Sequence, residues 1–230
     1  MFRSASIAIV ALSLLLGGCI GGDDRKPAKR IKPARSYHPP ARATDLDFPG
    51  IEAAVTRQCM ANMGAAGFQF TPLPDRRFGG GCLAFGSVQL QNVGVPVTNL
   101  GAMRCPLAQT FAAWARHGVL PAARVYLRSE VIRIESFGTY NCRNINGAAT
   151  GRLSQHAYAN AVDVAAFVLA DGRRITVLGG WNGPDEDVRR FLRVIHDSGC
   201  KRFRTTLGPD YNSVHANHFH FDMGRGPFCK

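Results

Sequence analysis

Two segments of the chain concentrate side chains that bind metals and move protons. The first is Ser154-Gln155-His156-Ala157-Tyr158-Ala159-Asn160-Ala161-Val162-Asp163, and the second is His215-Ala216-Asn217-His218-Phe219-His220-Phe221-Asp222. Side chains alternate faces along an extended strand. In such a strand His218, His220 and Asp222 share one face, and Phe219 and Phe221 lie on the other, against the core. His156 and Asp163 flank the start of a second strand and reach the same cleft if the two strands are neighbours. Two histidines and one carboxylate are a standard ligand set for catalytic zinc, with the fourth position left open. A His-x-His pair divides labour: one ring binds the metal while the other lies beside the reacting water and handles its proton. The competing reading is a histidine cluster that only hydrogen-bonds. His215 reads either as a supporting residue or as a loop histidine. Asp222 reads either as the carboxylate that orients His220 or as a turn cap.

The elements that must position these residues follow from periodicity and breakers. Helices are expected over Gly50–Asn62, Pro106–His117 and Pro184–Ser198. The last has Asp185, Glu186 and Asp187 at its positive end and Gly199 as its stop. Strands are expected at Ser87–Leu90, Val131–Ile134, Phe203–Leu207 and Ser213–Asp222. Asp163–Leu178 reads as a hairpin turning at Asp171-Gly172. Helices first and strands later predict an α+β domain with a mainly antiparallel sheet and helices packed on it. Trp114 and Trp181 read as core residues. His38, His117 and His196 carry no partner signature and read as linker or surface residues. Gly79-Gly80-Gly81 lacks the strand–helix context and lysine of a phosphate loop and reads as a turn.

Composition narrows the class. Hydrophobic residues are 46% and charged residues 19% of 230, enough apolar surface for a core, which excludes a wholly disordered chain. Only one long apolar run exists, at the N-terminus, so a polytopic membrane protein is excluded too. That run, Ile7–Leu16, follows Arg3 and ends at Leu16-Gly17-Gly18-Cys19. It has the length of a signal-peptide core, and its end resembles a bacterial lipobox. Residues 1–18 are therefore expected to be a signal peptide, with Cys19 the lipidated residue. Residues 19–43 are rich in Pro, Lys, Arg and Ala and read as an extended tether, and 44–230 as the domain. Leader and tether carry half of the net charge of +12. The remaining basicity, on an exported domain, is weak ground for nucleic-acid binding, and none is expected. Setting Cys19 aside leaves Cys59, Cys82, Cys105, Cys142, Cys200 and Cys229, an even number that suits three disulfides in an oxidising compartment. Fifteen pairings are possible for six cysteines. Pairing of sequence neighbours (59 with 82, 105 with 142, 200 with 229) is the simplest expectation.

The segments SQHAYANAVDVAAFVLADGRRITV and HANHFHFDM, with CPLAQTFAAWA, YNCRNINGAATGRLS and the closing cysteine, resemble the bacterial extensin-like protein C-terminal domain family over roughly Asp47–Lys230. The resemblance implies a fold like that of zinc peptidases related to D-Ala-D-Ala carboxypeptidases, lysostaphin and the hedgehog signalling domain. It implies one zinc ion held by His156, Asp163 and His220, with His218 beside the catalytic water. It further implies that Arg143 stabilises an oxyanion or binds a substrate carboxylate, and that Ser154 is a supporting or substrate-side hydroxyl. The chain departs from the pattern in having Ala159 where the peptidases usually carry Gly, and Gln155 where the extensin-like proteins often carry Glu. The implied function is an exported, monomeric, lipid-anchored envelope protein, on the periplasmic side and more in keeping with the outer than the inner membrane. Its expected activity is zinc-dependent cleavage of peptidoglycan peptides. The alternative is a non-catalytic wall-binding or scaffold module with a vestigial or structural metal site.

Overall fold

The computed structural model describes residues 49–230, with side chains from Ala53 onward. The expected signal peptide, Cys19, the tether and His38 lie outside the described residues. Helix α1 (Pro49–Ala65) is followed by the short strands β1 (Gln69–Pro72), β2 (Arg76–Arg77) and β3 (Leu83–Ala84), then β4 (Ser87–Asn92) and β5 (Ala102–Arg104). Helix α2 (Cys105–Trp114) runs on through wider π turns, Ala115–Val119 and Ala123–Leu127, that bracket the short α3 (Leu120–Ala122). Strands β6 (Val131–Gly138), β7 (Ala161–Leu169) and β8 (Arg174–Thr176) lead into α4 (Val177–Gly180) and α5 (Glu186–Cys200). The chain closes with β9 (Thr205–Leu207), β10 (Phe219–Asp222) and β11 (Phe228–Cys229).

The class is α+β, as the order of helical and strand patterns predicts. The main sheet has the order β11-β9-β10-β7-β6, with β8 also on β7. Every pairing in it is antiparallel except β11 with β9. The three-stranded sheet β1-β4-β5 and the ribbon β2-β3 complete the β structure among the described residues. Strand β7 is the axis of the fold. Eight of its nine residues are buried, and its apolar run Val164–Leu169 reflects a strand covered on both faces. It turns into β8 at Asp171-Gly172, where Gly172 has φ +89° and the Asp171 carboxylate accepts from the Arg173 N–H.

One face of the main sheet packs on α2 and α5. Trp114 of α2 and Phe191 of α5 are fully buried, as are Phe219 and Phe221 of β10. The Phe221 ring lies 4.8 Å from Trp114 and 4.5 Å from Phe203, and the Phe219 ring 5.6 Å from Trp181. Burying each phenylalanine contributes about 1.5–3 kcal/mol, which holds β10 in one register. Helix α5 starts on Asp185, whose carboxylate accepts from the Val188 N–H. It does not stop at Gly199 but continues to Cys200. Gly199 is required for another reason: a Cβ there would stand 2.5 Å from Cε1 of Phe221. His196 is a second correction. It falls on the buried stripe of α5 with Val188, Leu192 and Ile195, four residues after Leu192, and packs on Trp181 and Phe219. His117 is exposed, and both tryptophans are core residues.

Three disulfides brace the fold, but two of the three expected pairings are wrong. The bonds are Cys59–Cys105, Cys82–Cys142 and Cys200–Cys229, with Cα separations of 6.1, 5.7 and 5.5 Å, all in the ordinary range. Helix α1 lies against the start of α2, which gives Cys59 to Cys105. The Gly79–Gly81 turn then brings Cys82 to the loop after β6. Among the described residues no helix is long and apolar enough to cross a membrane.

Candidate metal centre

The sheet places the two histidine segments against each other. In the β7–β10 pairing His220 stands opposite Asp163, Phe219 opposite Val164 and Phe221 opposite Val162. Directly opposed residues point to the same face, so the phenylalanines that anchor β10 in the core turn His220 and Asp222 outward beside Asp163. His156 arrives from a tight helical turn, Gln155–Tyr158. Ser154 caps that turn, its hydroxyl accepting from the His156 N–H. The turn ends on Ala159 in the left-handed region, with φ +52°, a conformation that glycine adopts without strain.

His156, Asp163 and His220 converge. Nε2 of His156 lies 3.1 Å from Oδ2 of Asp163, and Nδ1 of His220 lies 2.9 Å from Oδ1 of Asp163 and 3.2 Å from Nε2 of His156. All three residues are buried. Three donors each about 2.0–2.1 Å from a tetrahedral zinc would be about 3.3 Å apart, close to this triangle. The outer nitrogens fix which lone pairs face inward. Nδ1 of His156 lies 2.6 Å from the Thr139 carbonyl, and Nε2 of His220 lies 2.9 Å from Oδ2 of Asp222. A carbonyl and a carboxylate only accept, so both outer nitrogens carry the proton. Nε2 of His156 and, once deprotonated, Nδ1 of His220 therefore present lone pairs to the centre. In the metal-free protein burial opposes charge on His220, but hydrogen bonds to Asp163 and Asp222 outweigh it and raise its pKa to about 9. Burial likewise opposes charge on Asp163, and the adjoining His156 and His220 imidazoles hold it well below the usual carboxylate range. A single proton on His220 Nδ1 thus lies where a cation fits. The residues suit zinc in donor type, tautomer and spacing.

His218 reaches the centre by a different route from the expected one. Ser213–His215 is a tight turn rather than strand, and β10 begins only at Phe219. Nδ1 of His218 bonds Oδ1 of Asn217 at 2.8 Å, leaving Nε2 3.6 Å from Oδ1 of Asp163. Burial is the main cause holding its pKa below the ordinary imidazole value. Arg143 sits on the loop tied down by Cys82–Cys142, with Nη2 3.7 Å from Oδ2 of Asp163 and a side chain 34% exposed. Oδ2 of Asp222 bonds His220, and its Oδ1 accepts from the Gly224 N–H. Gln155 accepts from the Asn160 amide and lines the cleft.

Sequence reasoning underrated His215. It is buried, its Nδ1 bonds Oδ1 of Asn212, and its ring stands 5.1 Å from His218 and 5.8 Å from His220. Burial, reinforced by His218 and His220, lowers its pKa to about 4. Its spacing in His215-x-x-His218-x-His220 was the available signal. Thr139 carries no sequence signal because it acts through a backbone carbonyl, and Asn212 and Asn217 carry none because their roles depend on the fold of the turn before β10. A further His/Cys cluster, His196 with Cys200 and Cys229, has both sulfurs in a disulfide and offers no thiolate.

Residues 57–230 match the family model described as extensin-like protein C-terminus. The chain belongs to that family. No curated protein and no solved structure matches it at a significant level.

Proposed function

We propose that this protein is an exported, lipid-anchored zinc peptidase that acts on peptidoglycan peptides. The observation that carries the reading is the triangle of His156, Asp163 and His220 donors, with their outer nitrogens locked, under a cleft that also holds His218 and Arg143. The likeness of the motifs to the zinc peptidases of the D-Ala-D-Ala carboxypeptidase, lysostaphin and hedgehog group supports it. When bound, zinc supplies a Lewis acid that polarises a carbonyl and lowers the pKa of water toward about 7. The protein supplies the rest. His218, neutral at working pH, accepts the proton of the attacking water at Nε2 and returns it to the departing amine. General catalysis of this kind contributes about 10²–10⁴-fold. Arg143 donates to the carbonyl oxygen as negative charge builds on it, a contribution of about 10²–10³-fold for a single donor. Ser154 and Asp222 position His156 and His220.

The leader, lipid site and tether support an envelope location. The tether reaches on the order of 70 Å if fully extended. Incubation of the zinc-loaded full-length chain with purified muropeptides, read by mass spectrometry, should release peptide fragments. His218→Ala should cut the rate at least 100-fold with zinc still bound. Wall binding without cleavage of any muropeptide would refute the peptidase reading in favour of a binding module.

A further inference from the structure

His196 is a buried imidazole without a good hydrogen bond. It is 6% exposed, and its Nε2 has no hydrogen-bond partner of normal geometry. Its Nδ1 faces Sγ of Cys200 and Oδ1 of Asp197, each at 3.8 Å. Sulfur is a weak acceptor, and that distance is too long for a hydrogen bond to oxygen. A buried polar group left in this state calls for an explanation, and a redox role or an ion is a common one. What Nδ1 faces is chemically specific. It forms one cluster with the sulfurs of Cys200 and Cys229, every donor within 4.8 Å of the others. His196 and Cys200 are four residues apart on α5, so both project from one face of the helix.

The two sulfurs are joined as the Cys200–Cys229 bond, and reduction turns them into two potential ligands. Cys229 is exposed and Cys200 half-buried, so a dithiol reaches Cys229 first. Its thiolate attacks Sγ of Cys229, and Cys200 leaves as a thiolate. The second thiol of the reductant then displaces Cys229 and closes the reductant's own disulfide. Two electrons pass to the cysteines with the two protons of the dithiol, and a cation that binds them releases those protons. The freed cysteines stay near each other. Cys200 ends α5, and backbone bonds on both sides of Cys229 hold it on β9. The Phe228 N–H donates to the Arg204 carbonyl at 2.9 Å, and the Lys230 N–H to the Thr206 carbonyl at 3.0 Å. On tetrahedral zinc two thiolates stand about 3.8 Å apart, and a thiolate and an imidazole about 3.5 Å. The His196 to Cys200 spacing already meets this, and the sulfurs need only part. No such cluster forms around either of the other disulfides among the described residues.

We propose that His196, Cys200 and Cys229 are a second metal site, closed as a disulfide in the oxidised protein and open to a thiophilic cation such as zinc once a dithiol has reduced it. One imidazole and two thiolates match zinc in donor type, with water in the fourth position. Burial holds the His196 pKa below the ordinary imidazole value, which keeps the ring unprotonated. The site is separate from the His156, Asp163 and His220 centre: His196 packs on Phe219, on the face of β10 opposite His220.

The test reduces the full-length chain with a phosphine, removes the phosphine, adds zinc and counts the metal by native mass spectrometry. The reduced parent should hold one zinc more than the oxidised parent. That zinc should slow alkylation of Cys200 and Cys229 by about tenfold or more, and cobalt in its place should show thiolate charge-transfer absorption. Cys200→Ser combined with Cys229→Ser, which leaves the other cysteines in place, should lose the added zinc. His196→Phe, which keeps a ring against Trp181 and Phe219, should weaken it by about tenfold or more. An added zinc that persists in the double serine variant would overturn the proposal, as would affinity in His196→Phe within about twofold of the parent. No gain of zinc on reduction, or an unfolding of the reduced parent that zinc does not reverse, would overturn it as well.

Discussion

Replacing Asp222 by Asn removes one charge without changing shape, and the geometry sets the consequence. The carboxylate accepts from His220 Nε2–H through Oδ2 at 2.9 Å and from the Gly224 N–H through Oδ1 at 2.8 Å. An amide can satisfy only one of these donors. If its oxygen keeps Gly224, its NH₂ faces His220 and favours the tautomer with the proton on Nδ1, the nitrogen that faces Asp163 and His156. If its oxygen keeps His220, the NH₂ opposes the buried Gly224 N–H, at a cost of about 1–3 kcal/mol. The first arrangement is the cheaper because His220 can shift its proton. Partners of this kind are worth about 10–100-fold in metal affinity, or about 1.4–2.7 kcal/mol. Zinc competition against a chromophoric chelator should show that loss in Asp222→Asn. Nitrogen NMR of the metal-free proteins should show protons on both His220 ring nitrogens in the parent below about pH 9, and loss of the Nε2–H signal with Nδ1–H kept in the variant. Affinity within twofold of the parent, with the Nε2–H tautomer kept, would refute the argument that Asp222 sets the ligand face of His220.

Other consequences are equally open to test. In the metal-free domain His220, raised to about 9, adds stability that is full below about pH 6.5 and lost as pH rises through 9. His215, lowered to about 4, adds stability present above about pH 6.5 and lost as pH falls through 4. Melting temperature without metal should therefore peak near pH 6.5, and zinc, which displaces the His220 proton, should abolish the alkaline decline. A monotonic rise from pH 7 to 9 without zinc would contradict this. Gly199→Ala should lower stability by about 1–3 kcal/mol in denaturant titration, because its Cβ would meet Phe221. Serine at both Cys82 and Cys142, which open a 60-residue separation, should remove up to about 4 kcal/mol on the chain-entropy model. Zinc should still bind at one equivalent, while hydrogen exchange rises in the Arg143 loop.

What the sequence made legible follows from how local each cause is. The β7–β8 hairpin, α2 and α5 carry their own periodicity and end signals (the Asp171-Gly172 turn, Pro106 in the first turn of α2, the Asp185 cap of α5), and their residues declare them. The alternation in Phe219-His220-Phe221-Asp222 foretells that rings and ligands part company, because burial of the phenylalanines dictates it. The strands β1, β2, β3 and β5 are short and partly exposed, so pattern alone gives no signal for them. Disulfide partners depend on which helices meet, and no spacing encodes that α1 lies on α2. The same non-locality hides the Thr139 carbonyl, which any residue could supply. His215 and His196 differ from expectation for opposite reasons: one sits in a tight turn where the pattern predicts strand, the other on an apolar stripe of α5 that the periodicity carries.

The central claim is a zinc centre made by His156, Asp163 and His220. A crystal of the zinc-loaded domain, with anomalous scattering recorded at the zinc edge, tests it most directly. The account predicts one full-occupancy peak within about 2.0–2.2 Å of Nε2 of His156, Nδ1 of His220 and a carboxylate oxygen of Asp163, and its loss in His220→Ala. A peak on His215 or His218 instead, or full occupancy kept in His220→Ala, would contradict it.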